Sequence, residues 1–223
     1  MNPTTRMTQT LEDLLHRSDE LGECIFAILP PETYSTANPS SRFEAAIGLA
    51  LISMEHATAL RVLVGAGLMP SAFALMRPQF EALTRSVWMM WAAQESDVYR
   101  IQAILTLESE KDASKLAGVS KMLADILVHA PPGPAQMLAQ FKEVSLASLN
   151  SYVHGGIHVL ARQAEGYPLQ LVDQVVRNSN GLQTMAGMLL AMYGSSADAG
   201  HAMSEIQWQF ADCLPTLLPV AAP

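Results

Sequence analysis

One row of side chains constrains this chain more than any other feature. Phe73, Met76, Phe80, Leu83, Val87 and Met90 recur at steps of three and four, the spacing that lines one face of an α-helix. Leu182, Met185, Leu189 and Met192 repeat the pattern later. Residues Ala45–Met54 are apolar on all sides, as in a central helix with neighbours all round. No Asn-Gly or Asp-Gly hairpin flanked by alternating β-branched residues appears. The expected fold is therefore all-α, a single-domain helical bundle of about seven to nine helices. They are drawn over 8–29, 41–66, 70–94, 96–107, 111–129, 134–153, 156–164, 168–193 and 200–218.

The breaks between these segments are short. They fall at Pro30-Pro31 through Pro39, Gly65 to Pro70, Pro131-Pro132-Gly133-Pro134, Gly166-Tyr167-Pro168 and Gly194-Ser195-Ser196. None has the length of an interdomain linker, and no internal repeat is visible. Residues 1–223 read as one domain with its core in 41–193 and flanking helices in 1–40 and 194–223. Ser40 and Ser41 ahead of Glu44 resemble a capping box that starts the second helix. The best core pair is 41–66 with 70–94. Met76, Met90, Met185 and Met192, among thirteen methionines, lie on the apolar stripes and read as core filling. A chain this apolar could also bury a helix face in a homodimer.

Charge narrows the partners. Thirteen Lys and Arg against twenty-one Asp and Glu leave a net charge of −8, where a generic nucleic-acid binder presents a basic face. Lys111, Lys115 and Lys121 are diluted by Glu108, Glu110 and Asp112. An anionic membrane surface is disfavoured for the same reason. The start of the chain is polar and then acidic, unlike a signal peptide. The uncharged stretches between Arg61 and Arg77 and over Asn178–Ala197 are broken by Gly, Pro, Ser, Asn, Gln and Thr, and neither spans a bilayer comfortably. Cys24 and Cys213 form no metal or redox motif. The expected location is cytoplasmic, with both thiols reduced and buried.

The chemistry concentrates in two blocks. In the first, Arg77, Glu81 and Arg85 stand at i, i+4 and i+8, on a face that borders the apolar stripe instead of opposing it. A carboxylate between two guanidiniums can stay ionised in a partly buried place. The trio carries one net positive charge, which suits an anionic ligand or a second carboxylate, with Glu55 the candidate. The alternative is a charge cluster that fixes helix register. Pro78 interrupts the row: it has no N–H for the Ala74 carbonyl, so the helix kinks there or ends near Arg77 and restarts.

The second block is Asn150-Ser151-Tyr152-Val153-His154-Gly155-Gly156-Ile157-His158. Its paired glycines place His154 near a helix C-terminus, with Gly155 as a left-handed terminator. They also allow a ligand or another backbone to come close. If the helix continued, His154 and His158 would share a face, and His56 could complete a three-histidine metal site. That arrangement resembles the triad of the DinB-like four-helix bundles. No ExxH pair supports a dimetal centre, and no nucleophile elbow, phosphate loop, dinucleotide fingerprint or HExxH motif occurs.

Glu55-His56-Ala57, the run from Gly67 through Trp88, and Leu149-Asn150-Ser151-Tyr152-Val153-His154-Gly155-Gly156 resemble a bacterial family of uncharacterised helical proteins. The resemblance implies an all-helical cytoplasmic domain without an established activity. It draws Glu55, His56, Arg77, Glu81, Arg85 and His154 into one set. A more distant similarity is to the HEPN helical domains, many of them ribonucleases of toxin and defence systems. Their motif pairs an Arg with a His four to six residues later; Ser148 and Leu149 stand ahead of His154 instead.

These readings define three expectations. The first is a bundle that binds a small anionic ligand or protein partner through Arg77, Glu81, Arg85 and His154, with Glu55, His56, Asn150, Tyr152 and Trp88 around them and no cofactor. The second is a phosphodiester-cleaving enzyme with His154 as general acid or base and Arg77 or Arg85 steadying the phosphate. The third is a metalloprotein on His56, His154 and His158.

Overall fold

A computed structural model describes residues 10–30, 40–194 and 197–216. Within them the chain forms ten helices and no strand. They are α1 (Leu11–Ile28), α2 (Ser41–Gly65), α3 (Met69–Trp91), α4 (Glu95–Gln102), α5 (Leu107–Ala113), α6 (Val119–His129), α7 (Pro132–Val153), α8 (Ile157–Glu165), α9 (Leu169–Tyr193) and α10 (Ala197–Gln209). Positions 8–9 of the first expected helix, most of the Pro30–Pro39 break, Ser195-Ser196 and positions 217–218 lie outside the described residues.

The count exceeds the expected range because 111–129 is not one helix. Its first residues belong to α5, and α6 starts only after Gly118, its N-cap. The helix expected over 96–107 stops at Gln102, since Thr106 and Ser109 build a capping box for α5. The Thr106 hydroxyl accepts from the Ser109 N–H at 3.1 Å, and Ser109 Oγ accepts from the Thr106 N–H at 2.8 Å. A second box starts α1, between Thr10 and Asp13. Ser40 caps α2 through a bond from the Phe43 N–H.

The antiparallel pair α2 and α3 forms the centre. Ser53 Oγ donates to the Gln79 carbonyl at 3.0 Å, and Ser86 Oγ to the Ala46 carbonyl at 2.7 Å. On one side α9 packs against α2, flanked by α1 and α10; on the other, α6 and α7 pack against α3. Of the described helices only α2 is long and apolar enough to cross a bilayer, and it packs against α1, α3, α4 and α9. Buried apolar residues from Leu14 to Cys213 make one contiguous cluster. The core thus extends beyond 41–193, since α1 contributes Leu14, Leu21 and Ile25 and the C-terminal part Met203, Phe210 and Cys213. Burial pushes the Cys213 thiol up to about 12, whereas Cys24 is only half-buried. Met76 and Met185 are buried as expected, but Met192 is turned outward.

A polar seam runs through this core. Arg61 is buried and donates from Nε to Asp19 and from a terminal nitrogen to Gln183, both at 2.8 Å. Gln79 and Ser179 exchange two bonds, at 2.9 and 2.8 Å. The Asn180 amide donates to Ser18 Oγ at 2.7 Å and to the Cys213 carbonyl at 2.9 Å. Ser179, Asn180 and Gln183, which make α9 unlike a membrane span, therefore face inward, against α3, α1 and α2.

Candidate functional site

The site begins with a helix that tolerates an internal proline. α3 runs unbroken through Pro78, so the alternative of two short helices does not hold. The proline still has no N–H to give to the Ala74 carbonyl. Pro in a helix interior costs about 3 kcal/mol relative to Ala. Pro78→Ala is expected to stabilise the fold by roughly 1–3 kcal/mol, raising Tm by about 2–12 °C. A melt followed by circular dichroism checks this; a lower Tm would mean that packing around the ring outweighs the missing bond.

One turn along the helix, Arg77 Nε donates to Glu81 Oε1 at 2.5 Å. Both side chains are about a quarter exposed, at 22% and 30%. Arg85 does not join them: its Nε is buried and bonds nothing among the described residues. Arg77 and Arg85 each stand four residues from Glu81, about 40° round the helix on either side, yet only Arg77 bonds it, so the expected two-sided clamp is one-sided.

Ring contacts place the second block opposite. Phe80 stacks on Phe141 with centroids 4.8 Å apart, and Phe73 meets Tyr152 at 5.2 Å. The two pairs run α7 antiparallel to α3. α7 ends at Val153, with His154 as its C-cap. Gly155 follows at φ 65°, in the left-handed region. The Gly156 N–H then bonds the Ser151 carbonyl at 2.7 Å, an approach so close that a Cβ at Gly156 would sit 2.6 Å from Ser151 Oγ. Ser151 Oγ in turn accepts from the His158 N–H at 2.9 Å, capping α8. Most of the block is thus a helix-to-helix corner, and the side chain of its exposed His154 bonds nothing among the described residues.

These two blocks enclose an open cleft of about 420 Å³, lined by Ala74, Leu75, Arg77, Pro78, Glu81, Val153 and His154. A second hollow of about 380 Å³ lies between α6 and α7, with Lys142 and Glu143 as its charged residues; it contains none of the residues singled out from the sequence. Leu75 and Val153 escaped sequence reasoning because apolar side chains on an apolar helix carry no signal of their own. Asn150, whose buried Oδ1 has no partner among the described residues, lies one turn before Val153 and His154.

Other expected residues lie elsewhere. Glu55 is exposed and forms no ion pair with Arg77 or Arg85, and His56 lies outside the cleft. The inward face of α2 is taken by Ser53, Met54, Ala57 and Leu60. Trp88 is buried and its indole donates to Asp125 at 3.3 Å, so its ring is closed to a ligand. Tyr152 packs against Phe73 and His158; burial raises its phenol above the usual range, as it does that of Tyr167. The three-histidine metal site is not assembled. The helix breaks at Gly155, placing His154 and His158 on separate segments. No group of three His, Cys, Asp or Glu among the described residues could hold a metal ion.

A family model matches residues 50–216, from within α2 to beyond α10. The chain belongs to the family of unknown function DUF6988. The DUF6988 match takes in both blocks and the whole cleft, while α1 and the start of α2 precede it. No curated protein and no solved structure matches the chain, so no match carries the likeness to HEPN domains.

Proposed function

We propose that this DUF6988 member binds a small anionic molecule in the cleft of Arg77, Glu81 and His154. The observation that carries this reading is the state of Arg77. Glu81 holds the guanidinium by Nε alone, and neither terminal nitrogen of this cleft-lining residue bonds a described residue. Paired terminal donors of one guanidinium suit a carboxylate or phosphate. His154 adds a second polar group, and Leu75, Pro78 and Val153 offer apolar wall.

Titration calorimetry with isocaproate, a carboxylate on a branched apolar tail, tests the reading. Arg77→Ala is expected to weaken binding roughly ten- to a hundredfold, the worth of a hydrogen bond to a charged group, with the melting curve little changed. Equal heats for the wild type and the variant would refute it. The same pairing of Arg77 with His154 also favours phosphodiester cleavage as a second reading, with His154 as general acid or base. RNA cleavage by purified protein, lost in His154→Ala, would put that reading first.

A further inference from the structure

The cleft is richer in unmet acceptors than an anion requires. Arg77 and Glu81 neutralise each other, so a simple anion gains little from net charge and meets the Glu81 carboxylate beside its own binding partner. Glu81 uses Oε1 for Arg77, and its Oε2 takes no bond from a described residue. The Ala74 carbonyl, in the same wall, cannot be served by Pro78. A ligand with N–H donors would be met by both acceptors.

We infer that the ligand is a zwitterion, an α-amino acid with an apolar side chain, whose carboxylate lies on the Arg77 terminal nitrogens and whose ammonium lies between Glu81 Oε2 and the Ala74 carbonyl. This rests on the anion-binding reading and adds to it the need for a cation on the same small molecule. Arg77 and Glu81 are in direct contact, so a carboxylate on the one and an ammonium on the other can be carried by a single α-carbon. The apolar wall of Leu75, Pro78 and Val153 leaves a branched aliphatic side chain as the part that is not hydrogen-bonded.

Leucine and isocaproate differ by the amino group alone, which makes them the probes. Wild-type protein is expected to bind leucine roughly ten- to a hundredfold more tightly than isocaproate. In Glu81→Gln the order should reverse, because the ammonium loses its counter-charge while the carboxylate loses a repulsive neighbour. A merely loosened cleft would weaken both probes and would not reverse their order. Equal binding of the two probes by the wild type, with isocaproate still dependent on Arg77, would overturn the zwitterion and leave the anion reading standing. Absence of binding by both, under conditions where the protein melts cooperatively, would overturn the two together.

Discussion

Phe80→Ala is expected to destabilise the fold by about 3–5 kcal/mol, lowering Tm by roughly 6–20 °C. Phe80 is fully buried at the crossing of α3 and α7 and is stacked on Phe141. Its removal combines lost transfer free energy, a cavity that rigid helices only partly close, and an aromatic pair worth about 1 kcal/mol. Thermal melts by circular dichroism give the number; a fall smaller than ~2 °C would mean that the two helices are not packed through these rings. Because the same contact sets α7 against α3, affinity in the cleft should also drop at temperatures where the variant is still folded.

Arg61→Ala ranks second, at about 2–4 kcal/mol. Asp19 is more than half exposed, so water replaces the lost guanidinium there. Gln183 has no such recourse. It is fully buried, its Nε2 already lacks a partner among the described residues, and its Oε1 would lose its bond from Arg61. Arg61→Met/Gln183→Leu should therefore be clearly more stable than Arg61→Ala, since it removes both ends of the contact in place of one. Gly22 adds a check, because a Cβ at that position would come within 3.0 Å of the guanidinium; Gly22→Ala should be harmful in the wild type and tolerated in Arg61→Met. If the double variant is no better than Arg61→Ala, the stranded amide is not the source of the loss.

The sequence was most informative where one residue's neighbours are local. The stripe from Phe73 to Met90 gives α3, and the pairing of Arg77 with Glu81 follows from a single turn of it. The Gly155-Gly156 corner and the position of His154 at a helix end are local too. The split between α5 and α6 was harder, because Ser114–Ala117 favour helix and Gly118 alone marks the boundary. Arg85 stands as near Glu81 along the helix as Arg77 does, and only the packing that buries its Nε, which spacing does not reveal, separates the two. The seam was out of reach for another reason: Asn180 finds Ser18, and Arg61 finds Gln183, at sequence separations of 162 and 122. Nothing in α9 itself tells which helix will meet its amides. Trp88 illustrates the converse, a residue adjacent to charge in sequence yet enclosed once α6 covers it.

The seam also bears on the structures this chain avoids. Apolar helix faces rich in methionine fit one another in several ways, since Met adapts its shape to the gap offered. A helix that slides by one turn moves about 5.4 Å and can remake most greasy contacts. It cannot remake those of Arg61, Asn180 and Gln183, whose partners sit at fixed points on α1, α2 and the C-terminal turn. In a slipped bundle each would be sealed against hydrocarbon with its hydrogen-bonding capacity unmet, at about 1–3 kcal/mol apiece and more for the charge. The penalty thus falls on rival arrangements more than on the native one, and it is these few polar groups, more than the bulk of the core, that single out one alignment of α1, α2 and α9.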